Sequence, residues 1–225
     1  MLNFKYSIYS GYTDMNANEF ESSKPGLRSL NETVRNCALS CGCSVGGFPG
    51  WFGKNYSVTR LLFVSQNPGY ARSPFKDARK IIWEYSPAEL PYDSFQQLYF
   101  DEWSANRTTG RWFSTLLSKL NLTYDDVAFT NLVKCPFIDN NFDPSAIDKC
   151  KHFLLDQLRI LRPQLVVALG TVPASAFIQK PILYTQHNLS LFNLPRFKLV
   201  VSPHPSRASI TDSIKVSSLI KAAQS

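Results

Sequence analysis

Apolar residues gather in four short runs along the chain, and each run is closed by residues that turn the backbone. The first is Leu61 to Val64 in "RLLFVSQNPGYARSPF", followed by Ser65, Gln66, Asn67, Pro68 and Gly69. A short unbroken apolar run bounded by turn residues predicts a strand covered on both faces. "DVAFTNLVK", "QLVVALG" from Gln164 to Gly170, and "FKLVVSP" closing at Pro203 read the same way. Between the strands the period becomes helical. "RWFSTLLSKLNL" sets Phe113, Leu116, Leu117 and Leu120 at helical spacing. A longer helix has Asp143 as N-cap and Pro144 in its first position. It lines one face with Ile147, Phe153, Leu154, Leu158 and Leu161, and ends at Pro163. Strands alternating with helices predict an α/β fold, a three-layer αβα arrangement around a central, mostly parallel four-stranded sheet.

Residues 1–35 are polar and weakly periodic, which predicts a peripheral N-terminal arm with room for one helix. Residues 36–225 form the remaining domain, with its core opening at Arg60. From about residue 70 to 108 the chain is rich in aromatics without a clear period, an insertion holding helical pieces such as "DARKIIWEY".

Each predicted strand delivers something polar, or a glycine turn, to its carboxyl end: Gln66 and Asn67, then Asn131, Gly170 and His204. Open parallel sheets bind ligands at that rim. Taken singly, an Asn after a strand is a turn residue and a lone His is structural. Four such ends on one rim predict a ligand site.

The chain has 225 residues and a formal net charge of +7, which favours a polyanionic partner; the bland reading is a charge excess that serves solubility. No apolar run approaches the length of a membrane span, and the N-terminus lacks the apolar core of a signal peptide. We therefore expect an intracellular protein without a membrane partner, working as a monomer, in the cytoplasm or nucleoid if the source is prokaryotic. Five cysteines in a reducing compartment argue against a disulfide framework. Cys37, Cys41 and Cys43 lie in "NCALSCGCSVGG", while Cys135 and Cys150 flank "PFIDNNFDPSAIDK". Four thiolates from two such segments suit an iron–sulfur cluster, with zinc as the rival and buried thiols as the plain alternative.

In order along the chain stand "CALSC", "LLFVSQNPG", "TGRWF", "FTNLVKC", "DKCKHFLLDQLRILRPQLVVALG" and "VSPHPS". By these motifs, from about Cys37 to Ser209, the chain resembles the uracil-DNA glycosylase superfamily, closest to the iron–sulfur family 4 enzymes of bacteria and archaea. The resemblance implies a 4Fe–4S cluster on Cys135 and Cys150 with Cys37 and Cys41, Cys43 being able to replace either of the last two. The usual N-terminal spacing is Cys-x-x-Cys, from which this chain departs. It departs again at the first motif. Family 4 reads "GE-x-PG", whereas here Gln66 stands in the acidic position and Asn67 matches the "G-x-NPG" of mismatch-specific and single-strand-selective relatives.

The resemblance further implies flipping of uracil out of DNA and hydrolysis of its N-glycosidic bond, leaving an abasic site. Asn67 would hold the attacking water, with Gln66 beside it. Asn131 would read the uracil edge, and His204 would donate to the oxygen that gains charge. The stacking ring is Phe75 by spacing, with Phe113 of "GRWF" as its rival. Gly69 replaces the Tyr that excludes thymine's methyl in the "GQDPYH" type, which leaves other damaged bases open. Ser206, Arg207 and Ser209 would contact DNA. The competing readings are a glycosylase for hypoxanthine or mispaired thymine, and a catalytically weak protein that binds DNA or a partner.

Overall fold

The computed structural model describes residues 17–35, 37, 47–68, 108–135, 145–183 and 188–224. Among them are α1 (Ala17–Arg35), β1 (Trp51–Phe52), α2 (Tyr56–Thr59), β2 (Leu61–Ser65) and α3 (Thr109–Leu120). There follow β3 (Val127–Asn131), α4 (Ser145–Leu161), β4 (Leu165–Leu169), α5 (Thr171–Ile178), β5 (Ser190–Asn193), β6 (Lys198–Ser202) and α6 (Ile210–Gln224). The "DARKIIWEY" segment, Asp143 and Pro144 lie outside the described residues.

The sheet has six strands rather than the expected four, in the order β1-β3-β2-β4-β6-β5. Its four central strands are parallel, as the sequence pattern predicts. The two additions are antiparallel edges, β1 on β3 and β5 on β6. Both escape a reading by periodicity for physical reasons: β1 is two residues long, and β5 ("SLFN") alternates between half-buried and exposed positions without an apolar run. Gly50, just before β1, has φ +119°, and a Cβ there would collide with the Phe129 carbonyl oxygen. Only glycine lets the chain approach β3 so closely.

The side-chain period of two sorts the central strands between two apolar layers. Leu62, Val64, Ala128, Val166, Ala168, Leu199 and Val201 face one cluster with Leu154, Leu158 and Leu161 of α4 and Leu27 of α1. Leu61, Phe63, Val127, Phe129, Leu165, Val167 and Val200 face the other, with α3 and α6. Helices therefore cover both faces, which is why β2, β3 and β4 are buried at every position. Helix α4 stops where Arg162 turns to φ 42° ahead of Pro163. The Arg60 guanidinium closes that end, its Nε donating to the Arg162 carbonyl at 2.7 Å.

The N-terminal helix is packed into this framework. Leu27, Asn31 and Val34 are buried, and the segment that follows returns to the sheet. The N–H groups of Cys37 and Gly47 both donate to the Val34 carbonyl, at 3.1 and 3.0 Å, and Phe48 N–H donates to the Lys134 carbonyl at 2.6 Å. No helix among the described residues is long and apolar enough to cross a membrane.

Candidate active site

Parallel register brings the strand ends together. Ser65 and Asn131 are partners at the ends of β2 and β3, and Leu169 and Ser202 are partners at the ends of β4 and β6. Beyond β3 the pairing is extended by Leu132 N–H to the Ser65 carbonyl and Val133 N–H to the Gln66 carbonyl, both at 2.8 Å. The backbone of the first motif is thus fastened to that of the "TNLVKC" run.

Asn131 is 1% exposed, yet among the described residues neither its Oδ1 nor its Nδ2 has a hydrogen-bond partner. Burying an amide without partners costs about 1–3 kcal/mol per group, so native structures rarely leave one so. An unsatisfied donor and acceptor, side by side at a strand rim, make a site for a ligand edge offering the converse pair.

His204 follows β6 and lies over the β4 exit, where a Cβ on Gly170 would stand 3.8 Å from the His204 Cβ. Gly170 itself turns with φ +107° into α5. The His204 Nε2 is 3.2 Å from Ser65 Oγ, across β4. Its Nδ1 is 2.7 Å from Ser206 Oγ, and the Ser206 backbone N–H donates to it at 3.3 Å. Burial, joined by the positive charge of Arg207, holds the His204 pKa below its ordinary value. The ring is therefore neutral at neutral pH.

Asn67 is half-buried, and its Nδ2 donates to the Pro68 carbonyl at 3.0 Å. Only the amide nitrogen can donate to a carbonyl, so the bond fixes the turn of the carboxamide and sets its Oδ1 on the opposite side. Gln66 is half-buried next to it. Gly69 and Phe75 lie outside the described residues.

Phe113 is where sequence reasoning goes astray. It sits on α3 at 1% exposure and meets Phe63 edge-on at 5.1 Å between centroids, with further T-shaped contacts to Trp112 and Phe129. Both faces of the ring are committed to the core, so it has none to stack on a base. The local words "GRWF" pointed to a motif; the helical spacing with Leu116 and Leu117 pointed to packing, and packing prevails.

In the loop after β6, Arg207 N–H donates to the His204 carbonyl at 2.9 Å, a tight turn that leaves Ser206 and Arg207 exposed. Ser209 is engaged elsewhere. Its N–H and Oγ donate to Asp212 Oδ2 at 2.8 and 2.9 Å while Asp212 N–H donates back to Ser209 Oγ, a capping box at the start of α6.

Of the five cysteines, Cys37, Cys135 and Cys150 are described; Cys41 and Cys43 are not. Cys135 and Cys150 are both buried. A hydrogen bond from the Cys135 thiol, with the Lys134 backbone N–H and the charges of Lys134 and Lys149, brings the Cys150 thiol down to about 6 in spite of burial. Adjacent thiols of which one ionises readily are what a cluster or zinc requires. The bond between Phe48 and Lys134 ties the chain after the N-terminal cysteines to the residue before Cys135. The residues present thus fit a thiolate-bound group. Among the described residues no set of three or more His, Cys, Asp or Glu gathers as a metal site.

Next to Cys135 lies a polar network that sequence reasoning missed. Lys134 is fully buried, and its Nζ donates to Thr130 Oγ1 at 2.7 Å, to the Asn131 carbonyl at 2.6 Å and to Gln157 Oε1 at 2.6 Å. Desolvation brings its pKa down to about 7, attraction to Cys150 opposing. Two of the three partners can only accept, and Thr130 Oγ1 has the Pro49 carbonyl and Gln157 Oε1, both at 2.9 Å, as acceptors for its one proton, so all three bonds need the ammonium form. Gln157 Nε2 continues to Asn31 Oδ1 and the Pro49 carbonyl, at 3.1 and 2.7 Å. The available signal was Gln157 itself, a polar residue inside the apolar stripe of Phe153, Leu154, Leu158 and Leu161.

A parallel-cored αβα sheet with a buried carboxamide and a histidine on its carboxyl rim belongs to the class of open α/β folds that bind ligands at that rim. The family model described as the uracil DNA glycosylase superfamily matches residues 54–223, and the chain belongs to that superfamily. It is 37% identical over 154 residues to the type-4 uracil-DNA glycosylase of Thermotoga maritima, covering 68% of this chain and 66% of that protein. It is 35% identical over 72 residues to that of Pyrobaculum aerophilum, covering 31% and 36% of the two chains. With the Archaeoglobus fulgidus enzyme it shares 36% over 67 residues, 29% of this chain and 33% of the other. The matched stretch thus spans slightly under two thirds of the Thermotoga protein and about a third of the other two.

Proposed function

We propose that this protein removes uracil from DNA by hydrolysing the N-glycosidic bond and leaving an abasic site. The observation that carries the reading is the Asn131 carboxamide, buried with its donor and acceptor both unpartnered. Uracil offers an N–H beside a carbonyl, the converse of that pair; cytosine presents an acceptor and an amine there, so it is the orientation of the carboxamide that decides between the two bases. The base must leave the stack to reach such a pocket, and Phe75 supplies the ring on which it stacks.

As the bond between C1′ and N1 breaks, its electron pair passes to the base and charge spreads to the carbonyl oxygens. His204, neutral and protonated on Nε2, supports the oxygen that gains this charge. Asn67 Oδ1 accepts a hydrogen bond from the water that adds to C1′, and the water's proton ends on the released uracil. An amide orients the water without removing its proton, and Gln66 is also an amide. A carboxylate base contributes about 10²–10⁴-fold, so this enzyme is slower by part of that factor than an acidic relative. Arg207, exposed beside His204, contacts phosphate, and with Ser206 it faces the DNA. The protein acts as a monomer.

We assign Cys37, Cys41, Cys135 and Cys150 to a 4Fe–4S cluster, Cys43 being the replacement for either N-terminal ligand. The cluster would supply structure, fastening the N-terminal segment to the end of β3. Iron and sulfide in the purified protein, lost in Cys150→Ser, are expected; zinc without iron would overturn the assignment.

The test of function is cleavage of a single-uracil oligonucleotide, revealed by alkali at abasic sites, with wild type beside Asn67→Ala and His204→Ala. Wild type is expected to give strand breaks and each variant to lose about 10²–10³-fold. Cluster-loaded wild type that cleaves neither single- nor double-stranded uracil DNA would overturn the reading and leave hypoxanthine, mispaired thymine and simple binding as the alternatives.

A further inference from the structure

The glycosylase reading leaves Ser65, at the rim, without a role. Ser65 ends β2, is 4% exposed, and is the register partner of Asn131. Its Oγ lies 3.2 Å from His204 Nε2. On the far side of the ring the Ser206 backbone N–H donates to Nδ1. A backbone N–H can only donate, so Nδ1 bears no proton and the neutral ring keeps its own on Nε2. The Nε2–H therefore donates to Ser65 Oγ. That bond uses a lone pair of the hydroxyl and leaves the hydroxyl's proton for another acceptor, and no second partner stands near it among the described residues.

Resting on the glycosylase reading, we propose that Ser65 is a catalytic residue: its O–H, backed by His204 Nε2–H, donates to a carbonyl oxygen of the departing base. A hydroxyl that accepts a hydrogen bond donates a stronger one, because each bond polarises the next. Neighbouring strands lie about 4.8 Å apart, which sets the donor beside the Asn131 carboxamide that reads the same base. In both first-motif patterns that the chain resembles, glycine occupies this position and can offer no side chain. Here the serine adds a donor to the departing anion, in a motif whose acidic position holds Gln66. No proton is transferred by Ser65. It stabilises the base anion through the hydrogen bond, and the proton from water neutralises that anion afterwards.

The experiment is single-turnover excision by the full-length, cluster-loaded protein from oligonucleotides containing either uracil or 5-fluorouracil. Wild type is compared with Ser65→Ala, Ser65→Gly and Ser65→Thr, each checked by thermal melting. Fluorine stabilises the leaving anion, so a donor to that anion matters less for the fluorinated base. The expected result is an about tenfold to hundredfold loss on uracil for Ala and Gly, a distinctly smaller loss on 5-fluorouracil, and retention of most activity by Thr. Unchanged rates, or equal losses on both bases, would overturn the role of Ser65 while leaving the glycosylase reading intact. Wild type that excises neither base would overturn that reading and the role of Ser65 with it.

Discussion

Asn131 and Lys134 stand three residues apart at the exit of one strand, equally buried and opposite in how they are satisfied. The lysine spends all three ammonium protons on protein acceptors. The asparagine side chain spends none of its hydrogen-bonding capacity among the described residues. A buried polar group whose partners are all internal holds a fold together, and one at a strand rim without partners among the described residues is available to a ligand. The two are joined, because one of the lysine's acceptors is the Asn131 carbonyl. The structural group thus fixes the backbone that carries the functional one.

This contrast predicts where each substitution registers. The largest effect belongs to the fully committed Phe113: Phe113→Ala costs about 3–5 kcal/mol of stability. Excision at a permissive temperature nevertheless stays near that of wild type, because the ring is core. A Phe113→Ala protein of unaltered melting temperature that no longer binds uracil DNA would return the ring to the base pocket.

Next comes Lys134→Met, which removes the donor shared by Thr130, the Asn131 carbonyl and Gln157. The cost is about 1–3 kcal/mol, roughly 2–4 °C of melting temperature per kcal/mol for a chain of this size. Excision falls as well, through misplacement of Asn131. A variant as stable as wild type would contradict the view that the network holds the strand exit.

The smallest effect concerns His204. Its folded-state pKa lies below the ordinary 6.5, through burial and then Arg207. The stability that goes with the neutral ring is complete above the unfolded value and is lost as pH falls through that value towards the folded one. Excision should therefore hold steady through the range where an ordinary histidine gains its proton, and fall only at lower pH. Arg207→Ala removes one of the two depressing causes and moves this acid limb to higher pH; a limb that does not move would separate Arg207 from the ring.

Much of this was legible in the chain, and the parts that were not share physical causes. The four parallel strands announce themselves because burial on both faces demands continuous apolar runs, as in Leu61 to Val64. Their polar exits, Asn67, Asn131 and His204, could be read because the strand pattern fixes where each run stops. The antiparallel edges could not, since β1 gains its place from a glycine approach to β3 rather than from its own pattern. Ser65 was hidden for a different reason. It counts as the last residue of a strand until the fold brings residue 204 across β4 to meet it. The Lys134 network likewise joins residues 31, 49, 130, 134 and 157, a grouping that no local window contains.

The most direct test of the contrast is to measure melting temperature and uracil excision together for Asn131→Ala. Removing a carboxamide that has no partners should leave the melting temperature unchanged or raised, while excision falls by about a hundredfold or more. A protein that melts several degrees lower yet still excises uracil at the wild-type rate would show that Asn131 serves the fold, and the account of the site would fail.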